Sequence, residues 1–104
     1  MASARVRLWL HPMLTPTEVR RLKARAAAGL RTAGAVVSEL LARDLGRKGP
    51  RLPVNAGAGR RQRYSVAVVL TREQRAALET RAAAQRRSPS SNAAAVIIRH
   101  LMRQ

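Results

Sequence analysis

Apolar and polar positions follow two rhythms along this chain. From Val6 to Leu10, Val6, Leu8 and Leu10 alternate with Arg7 and Trp9, and Arg5 precedes them. A period of two predicts a strand. The run then meets Pro12, which either ends the strand near Leu10 or bends it. A second alternating run has Tyr64, Val66, Val68 and Leu70 on one face, with Ser65, Ala67 and Val69 between them. After each run the rhythm becomes helical. Val19, Leu22, Ala26 and Leu30 fall on one helical face. Leu78 and Ala82 do so in the second half, where Arg75 stands in the place of Val19. A break follows, and then a second apolar stripe: Val36, Val37, Leu40, Leu41 and Leu45 in one half, Ala93, Val96, Ile97 and Leu101 in the other.

The helix starts are written in the same grammar twice. Thr15, Pro16 and Glu18 supply an N-cap, a proline at the first helical position and a capping-box acid at the third. Thr71 and Gln74 repeat the box. Thr32 and Ser88 open the second helices, Ser88 with Pro89 behind it.

Laid over itself so that Leu14 falls on Leu70, the chain matches Leu14–Leu45 to Leu70–Leu101 without a gap. The identities include both cap threonines and the whole Arg-Ala-Ala-Ala run. Chance alanine matches do not also align caps and apolar stripes, so the chain reads as an internal repeat. The repeats are residues 1–45 and 63–104. Residues 46–62, which hold four of the six glycines, read as a flexible basic linker. A strand and two helices in about 40 residues cannot stand alone. Two such units, with strands paired antiparallel, close one shared core. The expected fold is mainly α with a short two-stranded antiparallel β-ribbon.

Composition narrows the function. Twenty-one Lys and Arg face five acids, a net charge of +16 in 104 residues, and 19 of the basic residues are Arg. Such an excess calls for a polyanionic partner, most often nucleic acid. No cysteine is present, which removes disulfides and thiolate chemistry. The acids lack paired catalytic spacing, His11 and His100 stand apart, and no phosphate-cradling glycine loop occurs. No enzyme activity, cofactor or metal is expected. Nor is a membrane partner, since no apolar run approaches the ~20 residues of a span. The expected location is cytoplasmic. With Trp9 and Tyr64 as the only aromatics, a stacking platform for single strands is disfavoured. A basic RNA-binding or ribosome-associated protein is the alternative of another class.

The order of these elements (a strand running into a Thr-capped helix, "VVLTREQ" and "PMLTPTEV", then a second helix capped at "RTAG" and "RSPS") resembles the ribbon-helix-helix, MetJ/Arc-like DNA-binding superfamily, given twice. In architecture it is similar to TraY-type accessory proteins of conjugative plasmids. The resemblance implies a duplicated ribbon-helix-helix forming an intramolecular pseudo-dimer, with its ribbon in the major groove of double-stranded DNA. It implies base reading from the odd ribbon positions: Arg5, Arg7 and Trp9, with His11 and Met13 beyond them, and Arg63, Ser65, Ala67 and Val69. It implies phosphate contacts at the second-helix starts, from Arg31, Thr32 and Ala33, and from Arg87, Ser88, Ser90 and Ser91. Arg47, Lys48, Arg51, Arg60 and Arg61 add unspecific phosphate contacts or are simply solvated. Two unlike reading faces imply an asymmetric site. The implied role is an origin-of-transfer accessory factor, with a relaxase or another transfer protein as partner. The alternative is a repressor of its own operon. The working unit is a monomer, a swapped dimer or a higher assembly on DNA.

Overall fold

The computed structural model describes residues 4–46 and 60–101. The elements run β1 (Arg5–Leu10), β2 (Met13–Leu14), α1 (Pro16–Ala28), α2 (Ala33–Leu45), β3 (Gln62–Arg63), β4 (Val66–Thr71), α3 (Arg72–Ala84) and α4 (Pro89–Leu101). The described chain is mainly helical, with a small two-stranded antiparallel ribbon. The shift that lays Leu14 on Leu70 also lays α1 on α3 and α2 on α4, end for end.

β1 pairs with β4 and β2 with β3, both antiparallel. One register runs through both ladders without a slip, from Arg5 opposite Thr71 to Leu14 opposite Gln62. Leu10 and Val66 are paired, and they are also equivalent positions of the two repeats. The pairing and the repeat therefore share a midpoint at this rung. Pro12 interrupts the ladder without ending it. It has no N–H to give, but its carbonyl accepts from Tyr64 N at 2.9 Å. The first strand thus resumes at Met13. Gln62, assigned to the linker by composition, pairs with Leu14.

Both capping boxes form. Glu18 N donates to Thr15 Oγ1 at 3.3 Å, and Thr15 N donates to Glu18 Oε1 at 2.9 Å. Gln74 and Thr71 repeat the pair at 3.1 and 3.0 Å. Each such cap is worth about 1 kcal/mol. α1 and α3 end in the same left-handed turn, with Leu30 at φ 53° and Arg86 at φ 55°. Arg31 N returns to Ala26 O, and Arg87 N to Ala82 O, both at 2.8 Å. Leu30, expected on the buried face of α1, is instead 94% exposed, because the helix stops before reaching it, at Ala28.

The core lies between the inner face of the ribbon and the four helices. Leu10, Leu14, Val66, Val68 and Leu70 come from the ribbon; Leu22, Val37, Leu41, Leu78, Val96 and Ile97 come from the helices. Full burial of side chains of this size contributes roughly 1.5–3 kcal/mol each. No helix among the described residues is long and apolar enough to cross a membrane.

Candidate nucleic-acid interface

Because side chains on a strand alternate, burying the even ribbon positions forces the odd ones outward. Arg5, Arg7, Trp9 and Met13 are exposed along the first strand, and Arg63, Ser65 and Val69 along the second. Trp9 is 57% exposed and sits opposite Ala67, which is half-buried. A small residue there leaves the indole room to stand clear. Arg7 faces Val69 and Arg63 faces Met13, so the two arginines stand at opposite ends of the outer face, on opposite strands. His11 occupies the middle. Its Nδ1 lies 2.9 Å from Ser65 Oγ.

Two helix starts flank this face. Thr32 caps α2 by accepting from Ala35 N at 3.1 Å, and Ser88 Oγ accepts from Ser91 N at 3.1 Å at the start of α4. Thr32, Ala33 and Gly34 line one groove against the ribbon together with Arg5, Arg7 and Trp9. Arg87, Ser88, Ser90 and Ser91 line the other against His11 and Met13. Each helix is also tied to a strand edge. Ser38 Oγ accepts from Val69 N, and Ser90 Oγ accepts from His11 N, both at 2.9 Å. Ser90 is thus turned toward the ribbon backbone, with only its hydroxyl hydrogen left to donate. Ser38 carried no signal in the sequence; a serine on a helix face is commonplace until a strand N–H is brought beside it.

The electrostatics are uneven between the halves. Arg31 stands exposed just ahead of the α2 cap. It forms an ion pair with Glu39, which also holds Arg43 at 2.7 Å. Hydrogen bonding and charge from Arg31 hold the Glu39 carboxyl below its ordinary range. Arg61, read as a linker residue, instead pairs with the buried Glu18 at 2.8 Å. Asp44 is buried and bound by Arg81 at 3.0 Å and Arg99 at 2.9 Å, with His100 at 4.0 Å. Arg60 is exposed. Arg47, Lys48 and Arg51 lie outside the described residues. Among the described residues no group of His, Asp and Glu could hold a metal ion.

The arrangement offers a two-stranded ribbon bearing arginine at both ends, with N–H-rich helix starts on either side. Such helix ends attract phosphate, and guanidinium forks suit guanine edges and phosphate oxygens alike. In comparisons with known proteins, no family model matches the chain, and no curated protein or solved structure is significantly similar to it.

Proposed function

We infer that this chain is a sequence-specific double-stranded DNA-binding protein, in which two ribbon-helix-helix repeats act as the halves of an intramolecular pseudo-dimer. The observation that carries this reading is the outer row of the ribbon. Arg7, Trp9 and Arg63 stand in solvent while every even neighbour from Val6 to Leu14 is wholly or partly buried. A two-stranded ribbon fits the B-form major groove, about 12 Å wide. Entry there sets the starts of α2 and α4 over the flanking phosphates. The shared midpoint at Leu10 and Val66 supports the pseudo-dimer reading, as do the equal helix bounds and the matching caps. The +16 charge supports a polyanionic partner.

The two halves of the face differ. Trp9 in one repeat is Ser65 in the other, and His11 is Ala67. A face without two-fold identity selects a site without a palindrome. The narrower role is that of an accessory factor at a plasmid's origin of transfer, working beside a relaxase.

The test is an enrichment. The protein is mixed with fragments of its own replicon and random competitor DNA at about 0.2 M salt, where unspecific binding is suppressed, and the retained DNA is sequenced. Recovery of one asymmetric site beside a nicking region is the expected result. Recovery of the protein's own promoter makes it a repressor. If no duplex sequence is enriched, the base-reading ribbon is wrong.

A further inference from the structure

The two flanks of the ribbon carry matching arginines with unlike surroundings. Arg31 precedes the cap of α2, and Arg87, its counterpart in the second repeat, precedes the cap of α4. In the first half Glu39 lies two turns into α2 and takes both Arg31 and Arg43. In the second half the position of Glu39 is held by Ala95, and Arg99, the counterpart of Arg43, is turned inward to Asp44. The α4 flank therefore lacks the carboxylate that holds Arg31 on the α2 flank. Arg87 lines the groove beside α4 together with Ser88, Ser90 and Ser91.

We propose that Glu39 is a built-in competitor for phosphate: it occupies Arg31 and Arg43, so that the α4 flank carries the larger share of backbone anchoring on a DNA duplex. The physical reason is local. A carboxylate in contact with a guanidinium takes hydrogen-bond donors that a phosphate would otherwise use, and the Glu39 charge offsets one of the two positive charges it touches. It also repels an arriving phosphate. Arg87 keeps its full charge beside the Ser88 cap. The bound duplex is therefore gripped unequally on the two sides of the ribbon. This proposal rests on the DNA-binding reading above but not on base recognition.

The experiment uses the full chain and a random-sequence duplex, whose phosphates are present whatever bases are read. Binding is titrated against salt for the native protein, Arg31→Gln, Arg87→Gln, Glu39→Gln and the double variant Arg31→Gln/Glu39→Gln. Glu79→Gln is the charge-matched control, since Glu79 sits in a comparable exposed pair with Arg75 on α3. Loss of one phosphate contact lowers the salt slope by about 0.9. Arg87→Gln is expected to lower it by that amount and Arg31→Gln to leave it nearly unchanged. Glu39→Gln is expected to steepen it more than Glu79→Gln does, and adding Arg31→Gln to remove that gain. Equal losses for Arg31→Gln and Arg87→Gln overturn the proposal, as do equal gains for Glu39→Gln and Glu79→Gln. If the native protein binds no duplex even at low salt, this proposal and the DNA-binding reading both fall. If it binds the random duplex as expected here yet enriches no sequence, base reading alone falls.

Discussion

Gly34 lies so close to the backbone of β4 that a Cβ added to it would sit 2.0 Å from the carbonyl oxygen of Ala67. No side chain fits there without α2 moving off the ribbon. Gly34→Ala is expected to destabilise the protein by about 1–3 kcal/mol, the range for overpacking a tight contact. Urea denaturation measures it. An unchanged midpoint would mean that α2 can shift freely, against the tight seat described above. Ser90, at the matching position on α4, carries a side chain whose hydroxyl oxygen accepts from His11 N at 2.9 Å.

Leu30 bears a conformational penalty without any packing return, being left-handed and almost fully exposed. Glycine adopts that conformation freely. Leu30→Gly should raise stability by about 1 kcal/mol, part of it offset by a more flexible unfolded chain. Thermal melts read the gain. A fall in the melting temperature would contradict the penalty argued from the left-handed φ of Leu30.

Asp44 is the buried acid on which Arg81 and Arg99 converge. Removing one partner of a fully buried pair costs about 3–5 kcal/mol. Both guanidiniums here keep some solvent, so Asp44→Ala should cost less, about 2–3 kcal/mol. Denaturant titration of this variant beside Glu79→Ala makes the comparison, because the exposed Arg75–Glu79 pair should cost less than about 1 kcal/mol. Equal effects would contradict the burial argument.

Glu39 gives a pH dependence with a defined sign. Its carboxyl titrates lower in the folded chain than in the unfolded one, whose ordinary value is near 4.5. Its contribution is therefore complete above that value and lost as pH falls through the folded value. The native protein should lose slightly more stability on acidification below pH 4.5 than Glu39→Gln does. Parallel melting curves across that range would remove the Arg31–Glu39 pair from the account.

On the proposed interface, Arg7→Ala and Arg63→Ala should each relax discrimination at their own base step by about 1–3 kcal/mol. Trp9→Ala should weaken binding with little change in stability, because the indole is largely solvent-exposed. Competition binding against single-base variants of the enriched site separates these effects. Loss of affinity that is uniform across sequences would reassign the arginines to phosphate.

Much of the fold could be read in advance because its causes are local. Alternation set which ribbon positions face outward, and the Thr15 and Thr71 boxes set the helix starts. Less was visible where the cause lies far away in the chain. Asp44 on α2 meets Arg81 on α3 and Arg99 on α4, contacts between the two repeats that no spacing rule reveals. Arg61 looked like linker because glycines precede it, yet Glu18 captures it. Leu30 fits a helical stripe in sequence, but the chain turns left-handed before the stripe reaches it. For the interface, the outward rows were legible and the unequal company of Arg31 and Arg87 was not, since the reach of a side chain depends on where its helix is seated.

The pairing of β1 with β4 joins two distant parts of one polypeptide. In a ribbon shared between separate chains, assembly is bimolecular, and scarce protein falls apart on dilution. Here both strands travel together, so the melting temperature should not depend on protein concentration. A cell holding only a few copies would still hold them with the ribbon assembled.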